Sequence, residues 1–433
     1  MRAGVARWWW IGLLVALTVR VGWLATLEIP DALDGPMETL LRRDEAVRHG
    51  TTPTGSPPQT EMHTAIEAVS LVDTDSLTWR YVVRPAVQPW QRLTEARLVR
   101  WYWLVGGWQG LLQALACAAL TAAAWQAFGS RVLSLVAAVL AAGQPNSLLH
   151  LLVVGDFSLV HCLVSSLLVV TLCSARSGGV FTPLLVGILS GALFLIRPGT
   201  FLVVSLVLVW YFWQMRRVPR GWLAGLIAFL AVVNLVGTWF AWHWWRTGEP
   251  MPIAATFWQY HYEGLPHAAR PQLARELPWQ EMAVQVRNAW AESFAACLKH
   301  RLTVWVEALL GQPGTQLPAP PWFEPFLQSG GLTAWRILFA LGLIVGWRWS
   351  FPWYREHRPI TFLALGLPVA YALGPVEGVR EGLAWAEPAF VLYVALAIVG
   401  ALPGVAQRLF ADGGAANLSA TNIGQTNDVN DSH

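Results

Sequence analysis

The chain has 433 residues, of which 55% are hydrophobic and only 13% charged, about half the charge content of a soluble domain. A mean hydropathy of +0.44 excludes a disordered chain, a coiled coil and an ordinary soluble enzyme. The net charge of +3 is too small to point to nucleic acid, so no nucleic-acid partner is expected.

The apolar residues fall in long blocks, which predicts an all-α polytopic membrane protein. In chain order the runs are 8–27, 101–128, 132–154, 157–173, 180–196, 201–213, 222–241, 332–347, 360–373 and 389–402. They predict about ten transmembrane helices. The first run is long, contains Arg20 and lacks a small-x-small cleavage site, so we read it as a retained anchor and not a signal peptide. Arg20 is costly in hydrocarbon unless it is paired or near an interface. Pro145 predicts a kink or an early end to the third run.

Arginine sets the orientation. With the N-terminus inside, Arg131, Arg176, Arg216, Arg217, Arg220, Arg348, Arg355 and Arg358 all fall in short inner connections, with Arg2, Arg7 and Arg408 at the inner ends. Of the 26 carboxylates, all but Glu356, Asp412, Asp428 and Asp431 then lie outside. Both termini are predicted in the cytoplasm, and the long loops 28–100, 243–331 and 374–388 on the other face. Residues 1–410 read as a single transmembrane domain with two large extracytoplasmic loops, 28–100 and 243–331.

In the first loop, 37–47 and 64–72 have the pattern of amphipathic helices separated by a turn-rich break at 51–60. The second loop has a helical patch at 279–310 and Pro-rich connectors such as 316–321. The polar tail 411–433 reads as disordered. Cys117, Cys162 and Cys173 lie in apolar runs, as buried inert thiols would, and Cys297 in a polar loop.

Four segments resemble the GT-C class of integral-membrane glycosyltransferases, of the protein-mannosyltransferase and aminoarabinose-transferase type. They are EIPDALDGPMETLLRRDEAVRHG (28–50), AAGQPNSLLHLLVVGDFSLVHCLV (141–164), SGALFLIRPGTFLVV (190–204) and GTWFAWHWWRTGEPMPIAATFWQYHYEG (237–264). The likeness is one of layout and runs from about residue 8 to residue 403. Asp44-Glu45 matches the family's acidic pair after the first span, although Arg48 stands where its pattern has a Tyr. REGLAWAEP (380–388) matches the late Arg-Tyr-x-x-Pro pattern only loosely and without the Tyr.

The resemblance implies a GT-C-like fold in a bacterial inner or cell membrane, with an extracytoplasmic active site. It also implies transfer of a sugar from a polyprenyl-phosphate donor to a lipid, glycan or protein acceptor, with inversion. Such chemistry needs a carboxylate to take the acceptor's proton, and a cation to meet the leaving phosphate.

Asp44 is the first choice for the base. In a helix over 37–47 it shares a stripe with Met37, Leu40 and Leu41, a costly place for an idle acid. Its other reading is a solvated acid paired with Arg48. Glu45 could hold a metal or a substrate hydroxyl, and a divalent metal is left open. Asp34 and Asp31 are reserves or solvated loop acids. Asp156 opens the fourth run, as an N-cap or as a cleft acid.

Arg197, at the outer interface before Pro198, fits a lipid phosphate or a snorkelling anchor. Arg246 and Arg380 are weaker candidates of that kind. Trp258, Tyr260 and His261 belong to an aromatic cluster that suits an interfacial belt or an acceptor site. The alternatives to the enzyme are a transporter or flippase of polyprenyl-linked sugars, and a non-catalytic relative.

Overall fold

The computed structural model describes residues 3–26, 97–151, 156–174, 181–216, 221–247, 252–266, 269, 277–310, 320–350, 354–372 and 376–402. Among these residues every regular element is helical. The α-helices are α1 (Ala3–Thr26), α2 (Arg97–Phe128), α3 (Arg131–Ala142), α4 (Pro145–Leu149), α5 (Phe157–Ser174), α6 (Phe181–Ile196), α7 (Phe201–Met215) and α8 (Gly221–Thr247). They continue as α9 (Pro252–Glu263), α10 (Trp279–Glu292), α11 (Phe294–Leu310), α12 (Glu324–Gln328), α13 (Gly331–Trp349), α14 (Tyr354–Ala370) and α15 (Val376–Gly400).

Six segments are long and apolar enough to cross a membrane: Gly4–Thr26, Gly106–Phe128, Arg131–Leu149, Gly221–Trp245, Gly331–Trp349 and Gly382–Gly400. This is an all-α membrane protein. Four shorter apolar helices, Phe157–Cys173, Phe181–Ile196, Phe201–Met215 and Arg358–Ala370, coincide with the remaining apolar runs of the sequence.

Side-chain size decides which helices are central. α2 carries Ala114, Ala116, Ala118, Ala119, Ala122 and Ala123, all buried. So small a helix admits neighbours on every side, and α1, α3 and α5 pack on it. α15 is the other centre, gathering α3, α5, α13 and α14. In both, 83% of the span is buried, against 11% in the Leu- and Phe-rich α8. Outward Leu226, Phe229, Leu230 and Val233 of α8 present the surface a lipid phase requires.

Two Gly-x-x-x-Gly pairs allow close helix approaches. Gly187 and Gly191 of α6 lie against α8, where a Cβ on Gly187 would meet the Ala231 side chain at 2.6 Å and the Ala228 carbonyl oxygen more closely still. Gly342 and Gly346 of α13 lie against Val394 and the backbone of Tyr393 in α15. Gly187 meets Ala228 and Ala231 while Gly191 meets Leu235, so α6 runs parallel to α8; Gly342 meets Val394 while Trp349 meets Gly400, so α13 runs parallel to α15. α1 and α2 are antiparallel, since Gly4 meets Trp125 and Gly12 meets Ala118 and Thr121.

Pro145 acts as expected. α3 stops at Ala142, Gly143 caps it, and Pro145 opens α4 at a position where its missing N–H costs nothing. Residues 376–388, expected in a loop, are instead the first half of α15, with Pro388 inside the helix. The patch at 279–310 forms α10 and α11, divided at Ser293. With α9 they enclose a small apolar cluster of Tyr262, Leu265, Leu277, Met282, Val286 and Cys297. Cys297 is therefore buried, as is Cys117, whereas Cys162 and Cys173 are half-buried. The expected helices at 37–47 and 64–72, the break at 51–60 and the tail 411–433 lie outside the described residues.

Candidate functional site

Arg20, Gln113, Gln144, Asp156 and Glu387, all buried, lie toward the end of the bundle where α1 finishes. The break between α3 and α4 creates part of the reason. A helix that stops inside a protein leaves carbonyl oxygens without donors. Arg20, only 1% exposed, reaches across from α1 and donates through Nη1 to the Ala142 carbonyl at 3.1 Å. Its Nε donates to Gln113 Oε1 at 3.3 Å, and Gln113 Nε2 donates to Ser158 Oγ at 3.0 Å. The positive charge thus sits at a helix C-terminus, where the macrodipole favours it. Arg20 ties α1, α2, α3 and α5 together, and both of these acceptors are neutral.

Asp156 and Arg197 meet in the same region. Asp156 directly precedes α5, and its backbone carbonyl accepts from Val160 N–H at 2.8 Å. Its side chain is 5% exposed and lies 3.9 Å from Arg197 Nη2, the guanidinium side chain being 26% exposed. The sequence offered an N-cap or a cleft acid for one and a lipid-phosphate contact or a snorkelling anchor for the other. The fold brings them together as an ion pair between α5 and the end of α6.

Arg197 is held by its surroundings. The guanidinium lies over the Trp385 ring of α15, 5.0 Å from its centroid. Pro198–Thr200 form a 3-10 turn, with Thr200 donating its N–H and Oγ1 to the Arg197 carbonyl at 2.9 and 2.7 Å. Gly199 in this turn touches Tyr371, and a Cβ there would fall 2.8 Å from the ring. Tyr371 in turn packs edge-on against Trp385, with centroids 5.1 Å apart. The close approach explains why Arg-Pro-Gly, and not a bulkier triplet, ends α6.

The aromatic candidates divide. The Tyr260 hydroxyl donates to the Tyr371 carbonyl at 3.3 Å and its ring packs perpendicular to Tyr371, so it joins the site. His261 is buried against Phe257, centroids 4.2 Å apart. Trp258 packs on the small α9–α10 cluster. Arg246 lies in the last turn of α8. Half-buried Arg380 donates to the Glu307 carbonyl at 3.3 Å, fastening α15 to α11. Asp34, Asp44 and Glu45, with Asp31, lie outside the described residues.

Sequence reasoning missed Glu387. It is 6% exposed on α15, two residues beyond Trp385, and accepts a hydrogen bond from Asn146 Nδ2 of α4. Gln144 lies beside the same carboxylate, and Arg336 of α13 is close enough to act on it by charge. The signal was present: an acid flanked by apolar residues directly before Pro388, and the polar triplet Gln144-Pro145-Asn146 inside an apolar run. His150 stacks on Phe157, centroids 4.2 Å apart, with Nδ1 2.7 Å from the Asn146 carbonyl. Among the described residues no three His, Cys, Asp or Glu side chains converge to hold a metal.

Chemically, this end of the bundle offers two buried carboxylates, several guanidinium groups and aromatic faces beside a membrane-crossing core. Comparison with protein families, curated proteins and solved structures finds no match to the chain.

Proposed function

We propose that the protein is a GT-C-like glycosyltransferase that moves a sugar from a polyprenyl-phosphate donor to an extracytoplasmic lipid, glycan or protein acceptor, with inversion. The observation that carries this reading is the Asp156–Arg197 pair over Trp385 at one end of an apolar bundle. A guanidinium has five N–H donors in a planar fork. Nη2 faces Asp156, and a guanidinium that is partly exposed is suited to a phosphate oxygen at headgroup level. The buried carboxylate fixes the arginine's direction and limits its net charge, so that a lipid phosphate can enter and leave.

In this reading the ten apolar segments are all spans, the four short helices among them, and both termini are cytoplasmic. The site then lies at the extracytoplasmic face, and its location in the cell is an inner or cell membrane. Asp44 takes the acceptor's proton, with Glu45 beside it and Asp34 in reserve. Asp156 serves through Arg197. Arg246 and Arg380, each on a helix that reaches this end, add positive charge around the headgroup. Tyr260 belongs to the acceptor side with Trp258 and His261 behind it.

The test is transfer from radiolabelled polyprenyl-phosphate sugars by the purified protein. Asp44→Asn should lower turnover by ~10²–10⁴-fold with donor binding retained, whereas Asp34→Asn should cost much less. Equal small losses at both would remove Asp44 as the base.

A second reading, a transporter or flippase of polyprenyl-linked sugars, is favoured by one observation. Arg20 and Glu387 are charged types buried inside segments long enough to cross a membrane, as transport pathways often require. Movement of a labelled polyprenyl-linked sugar across a vesicle bilayer without any transfer would select it.

A further inference from the structure

Trp385, over which the Arg197 guanidinium lies, is fully buried on α15. Among the described residues its indole N–H finds no acceptor, so packing must fix the plane of the ring. Tyr371, the residue after α14, supplies that packing. It is 4% exposed, and its ring meets Trp385 at 74° with centroids 5.1 Å apart, an edge-on contact that aromatic pairs favour.

Tyr371 occupies a slot cut by two glycines from separate elements. A Cβ on Gly199 of the 3-10 turn would fall 2.8 Å from its ring, and a Cβ on Gly382 of α15 would fall 2.6 Å from its own Cβ. Gly382 and Trp385 are three residues apart and share one side of the helix. One tyrosine therefore touches both the turn that follows Arg197 and the helix that carries Trp385. It joins the two halves of the cation–π contact. Tyr260 braces it from a third element. The Tyr260 hydroxyl donates to the Tyr371 carbonyl at 3.3 Å, and the two rings lie perpendicular with centroids 5.6 Å apart. α9, which carries Tyr260, also packs against the Pro198–Thr200 turn.

An arginine held in its binding direction loses less side-chain entropy when an anion arrives. The Asp156 carboxylate, 3.9 Å from Nη2, lies beyond hydrogen-bond distance and attracts the guanidinium without fixing its plane. The Trp385 face supplies the plane, and Tyr371 holds that face. We propose that Tyr371 is the positioning residue of the Arg197 phosphate site, and that α9 acts on the site through Tyr260. A shift of α9, where Trp258 and His261 also lie, then reaches the arginine through Tyr260, Tyr371 and Trp385. The inference rests on the reading of Arg197 as the lipid-phosphate contact.

The experiment uses the full-length protein in detergent and two probes, a short-chain polyprenyl phosphate and the polyprenol of the same chain length. Binding is read by thermophoresis. The wild type should prefer the phosphate. Tyr371→Leu stays apolar but loses the flat ring, and Gly199→Ala drives a methyl group against that ring. Each should shrink the preference by about two- to five-fold, the worth of a cation–π contact. Tyr260→Leu should shrink it by about two-fold, as loss of one long hydrogen bond would. Tyr371→Phe should keep it, since the ring and the carbonyl remain. Affinity for the polyprenol should stay the same throughout.

A merely structural role would lower both affinities together, because the alcohol shares everything with the phosphate except the charged head. Equal losses for the two probes would therefore overturn the positioning role. So would an unchanged preference in folded Tyr371→Leu and Gly199→Ala, the second being the smaller change and a guard against misfolding of the first. An unchanged preference in Tyr260→Leu alone would overturn the link to α9. A wild type that binds both probes equally would instead remove Arg197 as the phosphate contact, and with it the reading on which the inference rests.

Discussion

Replacing Arg197 by Met isolates the pair on which the functional reading depends. The side chain keeps its length and apolar stem but loses its charge and planar head. Asp156, 5% exposed, would then keep a carboxylate in an apolar setting without its guanidinium. Breaking a buried pair from one side costs about 3–5 kcal/mol. Two features lower that figure here. Arg197 is 26% exposed, and 3.9 Å is longer than a charge-assisted hydrogen bond. A loss of about 2–3 kcal/mol is therefore expected, with about 0.5–1 kcal/mol more from the Trp385 face.

Asp156→Asn in the same background removes the stranded charge and should return much of that loss. The assay is unfolding of the four detergent-purified proteins, completing a double-mutant cycle. Coupling of about 1–3 kcal/mol is expected for groups in direct contact. Arg197→Lys should recover part of the pairing but little of the stacking, because an ammonium is not planar. The reasoning is refuted if the double variant loses the sum of the two single losses. The cycle also matters for function. Lipid-phosphate binding is best compared between Arg197→Met/Asp156→Asn and Asp156→Asn, where no stranded carboxylate confuses the result.

Gly346→Val should destabilise the bundle by at least about 1–3 kcal/mol, because its side chain would enter the Tyr393 backbone. Gly237→Ala, with nothing within 4 Å, should leave the unfolding midpoint unchanged and serves as the control. Gln113→Leu should cost about 2–4 kcal/mol by taking an acceptor from buried Arg20 and a donor from Ser158. Adding Arg20→Met should restore part of it, and strict additivity in the same unfolding assay would deny the network. Cysteines placed at Ser56 and Gly413 should react with an impermeant reagent from opposite sides of the membrane, since the arginine bias puts the first loop outside and the tail inside. Labelling from one side would overturn that topology.

The membrane class was written in the sequence, because hydrocarbon tolerates a backbone only when its own hydrogen bonds are satisfied, and long apolar blocks are the result. The end of α3 was equally legible, since Pro145 cannot donate the bond a continuing helix needs. The start of α15 was not. Residues 376–388 are polar enough to resemble a loop, and only the packing of Val379 on α11 and of Trp385 against Tyr371 gives them a reason to be helical. Arg20 could be recognised from its cost in hydrocarbon, but not its partner. The Ala142 carbonyl lies 122 positions away and becomes an acceptor only where two helices end and cross.

The site follows the same division. Asp156 and Arg197 stood out one by one, as charged residues bordering apolar runs. Their meeting at 3.9 Å over Trp385 joins three segments far apart in the chain. Glu387 became visible only when α4 came to rest against α15 and gave one of its oxygens a donor. Composition is a sum over residues and survives any rearrangement of the fold. Which buried groups touch depends on helix direction and small-residue contacts, and tertiary packing alone decides those.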